Sequence, residues 1–320
     1  MKQIKDPDAT VMLRAGGRLE PPASTTPLPP GLGSRRGFLL GAAAVAAAAV
    51  VGGGVLLRRA TRHVPAQIPL AEEQAILATD APVLRAWRFA QAPSVVVLIF
   101  PSLHAQAIAL NRAAVFLELA GASRTEVPDD ETMGRDIDAA HLDADTFYYG
   151  HDYRAADLMR MWTLADRQGV KMRPEEAAVR ALLLDAAAAP DGLGAVISLP
   201  PPGTGLQDHA GRAAILRHEL SHGVYFTDPE YAAAVDVFWR ARMTQTQREA
   251  FRHFLGGEAY DPNNDELMRN EAQAYLVHTA DPRFFSAAVV GLPEAEVNAL
   301  RNDFIARMPA GWLKARTVAR

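Results

Sequence analysis

The run Ala213-Ala214-Ile215-Leu216-Arg217-His218-Glu219-Leu220-Ser221-His222-Gly223-Val224-Tyr225-Phe226 decides how this 320-residue chain is read. Apolar residues stand on both sides of a short polar core, the pattern of a helix buried in the interior. His218 and His222 are four residues apart, so a helix carries both imidazoles on one face, one turn apart, where both can reach a single ion. Glu219 lies beside them and is placed to contact a water held at that ion rather than the ion itself.

A catalytic site of this kind needs a third protein donor and one position left open. The chain contains no cysteine, which excludes thiolate ligands, disulfides and cysteine nucleophiles. No histidine follows closely in Gly223-Val224-Tyr225-Phe226-Thr227-Asp228. Glu271, in Asn270-Glu271-Ala272-Gln273-Ala274-Tyr275, is the strongest candidate. It lies 49 residues beyond His222, among the apolar Ala272, Ala274, Tyr275, Leu276 and Val277 of its helix. An acid there is costly to bury unless it is paired or bound to a cation. The alternatives are Glu258, Asp265, Glu230 and Asp236, and Glu271 could instead form a structural ion pair with Arg269 or Arg252.

With these motifs the chain resembles a gluzincin-type zinc metallopeptidase, over the His218-to-His222 helix, strand 195–199 and the Glu271 helix, about a quarter of its length. The resemblance implies Zn²⁺ held by His218, His222 and Glu271, hydrolysis of a peptide or amide bond in a peptide or protein substrate, and Glu219 as general base and then proton donor. It also implies an edge strand that pairs with substrate backbone, a role for which Ala195 to Leu199 is well placed. Metzincins take a histidine shortly after the motif, and this chain lacks it. In thermolysin-like members an acid four residues past the ligand glutamate buttresses a metal-binding histidine. Here that position is Tyr275, and the separation between motifs is longer. Glu271, Tyr275 and His278 share one helix face, so Tyr275 or His278 can supply the donor that stabilises charge on the carbonyl oxygen. The plainer reading packs Tyr275 in the core with its hydroxyl bonded and leaves His278 near the surface. Tyr148, Tyr149 and His151 either line a cleft or cap a strand.

The flanking sequence is helix-rich with few strands. Val95 to Phe100 and Ala195 to Leu199 are short, apolar, β-branched runs that read as buried strands, and Thr146 to Tyr149 is a weaker third. Helices are expected from about Tyr153 to Gln168, stopped by Gly169, and from Pro174. Others are expected from Asp208 to Phe226, after Asp228-Pro229, from Thr244 with its Gln247 capping box to Gly256-Gly257, from Asp265 to Thr279 and after Pro293. Long helices beside a small sheet predict an α+β fold, a helix-rich zincin-like domain over residues 67–320.

Of 33 Lys/Arg, nine lie before residue 67; of 37 Asp/Glu, three do. The remaining 24 bases against 34 acids exclude a nucleic-acid binder. Residues 1–33 read as a disordered leader. Ser34-Arg35-Arg36-Gly37-Phe38-Leu39-Leu40, followed by an uncharged stretch to Leu57 and then Arg58, Arg59 and Arg62, resembles a twin-arginine export signal, so residues 34–66 are a signal or a membrane anchor through 38–57. The twin-arginine translocation machinery is then a partner, and the location is the periplasm or the extracytoplasmic face of the inner membrane. Two other classes fit parts of this pattern: a zinc-binding protein without turnover, and a membrane-anchored binding or assembly protein whose His-Glu run is accidental.

Overall fold

A computed structural model describes residues 67–318; the leader and the signal or anchor expected before residue 67 lie outside the described residues. The fold is α+β. In chain order the elements are β1 (Leu70–Ala71), α1 (Glu73–Leu77), β2 (Arg85–Phe89), β3 (Ala92–Ile99), α2 (Leu103–Leu117) and α3 (Asp130–Ala139). There follow β4 (His151–Arg154), α4 (Ala155–Gln168), α5 (Pro174–Ala188), β5 (Ala195–Leu199), α6 (His209–Thr227) and α7 (Pro229–Val237). Beyond a π-helical turn (Phe238–Arg242) come α8 (Gln245–Gly257), α9 (Asp265–His278), α10 (Ala287–Val290), α11 (Glu294–Arg307) and α12 (Trp312–Ala315). None of the described helices is long and apolar enough to cross a membrane.

The five strands form one mixed sheet in the order β1-β2-β3-β5-β4. β3 and β5 are parallel at its centre, and β4 runs antiparallel to β5. Central strands are covered on both faces, which is why Val95 to Ile99 and Ala195 to Leu199 are continuous apolar runs. Alternation divides their side chains between two cores. Val96, Leu98 and Val196 join Leu110, Trp162 and Leu183 of α2, α4 and α5. Val95, Val97, Ile99, Ala195, Ile197 and Leu199 face the other way, towards α6, Tyr275 of α9 and the C-terminal helices.

Helix α6 is enclosed on almost every side, as its uninterrupted apolar flanks require. Asp208 caps its first turn by accepting from the Gly211 amide, and the Asp208 carboxylate is held in turn by Arg283. Its close approach to the sheet depends on Gly223, where a Cβ would fall 2.8 Å from Val95 Cγ1. Gly169 ends α4 in the left-handed region at φ 70°, and the Thr244–Gln247 capping box opens α8.

Two strand expectations are corrected. Thr146 to Tyr149 is not a strand; the chain extends only from His151. Ala195 to Leu199 is not an edge strand, because β3 and β4 pair with it on its two sides. The edge strand beside α6 is β4, whose polar sequence His-Asp-Tyr-Arg hides a period-two burial pattern. Asp281-Pro282 leads into a turn.

Gly223→Ala should lower stability by about 1–3 kcal/mol through overpacking against Val95. Thermal unfolding measures this, and an unchanged midpoint would show that α6 does not need the close approach.

Candidate metal centre

Helix α6 brings His218, Glu219 and His222 into the interior, all 4 % exposed or less. Helix α9, capped at its start by Asn264, brings Glu271 opposite them. Glu271 Oε2 stands 3.5 Å from His218 Nε2 and 3.7 Å from His222 Nε2. These separations are too long for hydrogen bonds. They are close to the roughly 3.3–3.5 Å that separates neighbouring donors placed tetrahedrally about 2.0–2.1 Å from one ion. Neither ring nitrogen of His222 has a hydrogen-bond partner, and Glu219 Oε2 has none. Buried polar atoms are almost always partnered. A cation among these three groups would satisfy what the protein does not, so the donor set fits a divalent metal.

His218 is oriented from behind. Its Nδ1 lies 2.9 Å from Thr279 Oγ1, and Thr279 donates its single hydroxyl hydrogen to the Ala274 carbonyl at 3.0 Å. The hydroxyl must therefore accept from His218 Nδ1–H, which leaves Nε2 unprotonated and aimed at Glu271. The two helices are tied by a buried chain of bonds. Ser221 donates to the His218 carbonyl, Gln273 Nε2 donates to Ser221 Oγ, and Tyr231 donates to Gln273 Oε1. His278 Nε2 completes the chain at 3.0 Å from the Tyr231 hydroxyl.

Asp152 of β4 enters the same cluster, with Oδ2 3.7 Å from His222 Nε2. Gly150, just before β4, packs directly on Glu219: a Cβ there would fall 2.1 Å from Glu219 Oε1. A cleft of about 470 Å³ opens outward past Asp152, Arg154, Phe226, Glu266 and Asn270. Burial, reinforced by the neighbouring acids Asp152, Glu271 and Glu118, pushes the Glu219 carboxyl well above the usual range. Burial and then Glu271 do the same to Asp152. Burial and then His222 push His218 well down. Each shift favours the uncharged group, as a low-dielectric pocket without a bound cation must.

The other acids considered for the third donor do not belong to this cluster. Asp265 holds Arg252, Arg269 and the Trp239 indole, and Asp236 holds Arg240 and Arg269. Glu230 is exposed on α7, and Glu258 is buried at the end of α8. Tyr275 packs in the core with its ring edge-on to His218 at 4.6 Å, but its hydroxyl has no hydrogen-bond partner. Its hydroxyl is pushed well up by burial and by Glu271, Glu258 and Glu219, so it stays protonated. His278 is buried, not near the surface, because the Tyr231 bond draws it inward. Tyr148 and His151 pack with Tyr260 and Tyr153 as buried aromatics and do not line the cleft.

Asp152, Thr279 and Gly150 were not singled out by the sequence. Asp152 carried one usable signal, an acid alternating with His151 and Tyr153 beside a helix start. Thr279 and Gly150 carried none, since their roles rest on tertiary contacts. Searches of protein-family models, curated proteins and solved structures found no match to this chain.

Thr279→Val should weaken divalent-metal binding by about 10–100-fold without changing stoichiometry, measured by competition with a chelator. Unchanged affinity would remove Thr279 from the account. Burial also lowers His151 to about 3. Unfolded histidine titrates near about 6.5. Between these values the unfolded chain binds a proton that the folded chain refuses, so this contribution to stability is lost as pH falls below about 6.5. The metal-free protein should lose more thermal stability between pH 7 and 5 than its His151→Asn variant, and parallel pH profiles would contradict this.

Proposed function

We propose that this chain is a zinc-dependent peptidase that hydrolyses peptide or amide bonds outside the cytoplasm. The observation that carries the reading is the convergence of His218 Nε2, His222 Nε2 and Glu271 Oε2 at 3.5 and 3.7 Å, with Glu219 beside them. His218, His222 and Glu271 would hold the ion. When bound, zinc supplies Lewis acidity, making a water more acidic and a carbonyl more electrophilic.

The protein's own groups account for the rest. Glu219 takes a proton from the attacking water as its oxygen bonds to the carbonyl carbon. It then delivers a proton to the amine nitrogen as the C–N bond breaks. The Tyr275 hydroxyl, protonated and without a partner, is available to stabilise negative charge on the carbonyl oxygen. His278 is less available, since its Nε2 is engaged with Tyr231. Strand β4 has one unpaired edge and contributes Asp152, Tyr153 and Arg154 to the cleft, which supports pairing with an extended peptide there. Export by the twin-arginine machinery, and a location in the periplasm or on the outer face of the inner membrane, rest on the Ser34-to-Leu40 signal. An intact, buried Glu219 argues against a zinc protein without turnover, which has no use for that base.

Two variants separate the steps. Glu219→Gln should keep zinc while cleavage of a fluorogenic peptide library falls by at least about 100-fold. Gly150→Ala should displace Glu219 and lower turnover in the same way, again with zinc retained. Wild-type cleavage by Glu219→Gln, or full wild-type activity in excess chelator, would overturn the mechanism.

A further inference from the structure

Strand β4 brings the Asp152 carboxylate to 3.7 Å from His222 Nε2. Its register sets Asp152 opposite Ile197 of β5. By alternation Asp152 therefore shares the face of Ile197, Val97 and the other apolar side chains that pack towards α6. A carboxylate on such a face, with its side chain 12 % exposed, is costly without a cation or a donor. Among the described residues no Lys or Arg pairs with Asp152. Its nearest basic group is His222 Nε2 at 3.7 Å, beyond hydrogen-bond distance.

Which nitrogen of His222 it faces matters. A carboxylate that merely orients a metal-binding histidine sits behind the ring, as the Thr279 hydroxyl sits behind His218 at Nδ1. Asp152 faces Nε2 instead, the nitrogen that also faces Glu271. Two donor sets emerge, His218–His222–Glu271 and Asp152–Glu219–His222, with His222 in both. His222 is common to both, so the second set adjoins the first at that ring. The first set is buried between α6 and α9, and the second opens to the cleft, which Asp152 lines.

We propose that Asp152 is a fourth protein donor to the ion, placed by the edge strand on the cleft side, where an incoming substrate must displace it or share the coordination sphere. The assignment rests on the reading of His218, His222 and Glu271 as metal donors. It makes β4 more than a template for substrate backbone: the strand closes the resting site and ties the cleft wall to the metal.

The test uses full-length protein freed of metal and reloaded with Co²⁺, comparing wild type with Asp152→Asn, Asp152→Ala and Glu271→Gln. Far-ultraviolet circular dichroism of the metal-free forms checks that each variant folds. Chelator competition gives the Co²⁺ and Zn²⁺ affinities, and the visible absorption of the Co²⁺ forms reports coordination number and donor set. If Asp152 is a donor, both Asp152 variants weaken binding by about 10-fold or more and change the Co²⁺ spectrum. Wild-type affinity and an unchanged spectrum in both would overturn the proposal while leaving the three-donor site intact. A wild type that takes up no stoichiometric Co²⁺ would overturn the underlying metal reading, and this proposal with it. Loss of Co²⁺ by Glu271→Gln marks that reading as sound in the same experiment.

Discussion

Everything in this molecule depends on two imidazoles meeting a carboxylate in an interior that excludes water. Glu271 Oε2 is held between His218 Nε2 and His222 Nε2 without a hydrogen bond to either. Glu219 and Asp152 add two more carboxyl groups whose protonation is strongly favoured by burial. Such an assembly is unfavourable as charge and poorly satisfied as neutral groups. A divalent ion would resolve both problems, since it would pair the carboxylates and accept the imidazole lone pairs. The surrounding bonds have the effect of preventing the groups from relaxing apart. Thr279 fixes the ring of His218, and the Ser221–Gln273–Tyr231–His278 chain fixes α6 against α7 and α9.

The sheet serves the same end. Its central strands are apolar on both faces, which gives α6 a flat floor, and Gly223 lets the helix settle onto Val95. Because β5 is interior, the edge on this side of the sheet is β4, whose sequence is the polar His-Asp-Tyr-Arg. Gly150 brings the approach to that strand against Glu219, and Asp152 reaches the cluster from it. Helix α6, edge strand β4 and the cleft wall are thus one packed unit, whose geometry is set by small residues at the points of closest approach.

Much of this was legible in the sequence. The helix of His218 and His222 announced itself by four-residue spacing inside an apolar run, and Glu271 by its apolar neighbours Ala272, Ala274, Leu276 and Val277. Proline, glycine and capping residues placed the starts of α5, α7 and α8 and the end of α4. What could not be read there depends on contacts between distant segments. β4 is polar and four residues long, so its strand character comes from pairing with β5 rather than from composition. Helix α2 buries Gln106, Asn111 and Arg112 along with its alanines, which blurs the apolar stripe that would have marked it. Thr279 bonds His218 Nδ1 from just beyond the end of α9, and nothing about an isolated threonine signals that contact.

The central claim is that one ion sits among His218, His222 and Glu271. X-ray absorption at the zinc edge of protein purified without added metal tests it most directly. The account predicts about one zinc per chain with a first shell of nitrogen and oxygen donors at about 2.0–2.1 Å and the outer-shell scattering of two imidazoles. A protein that retains no transition metal, or a zinc whose spectrum lacks imidazole scattering, would contradict it.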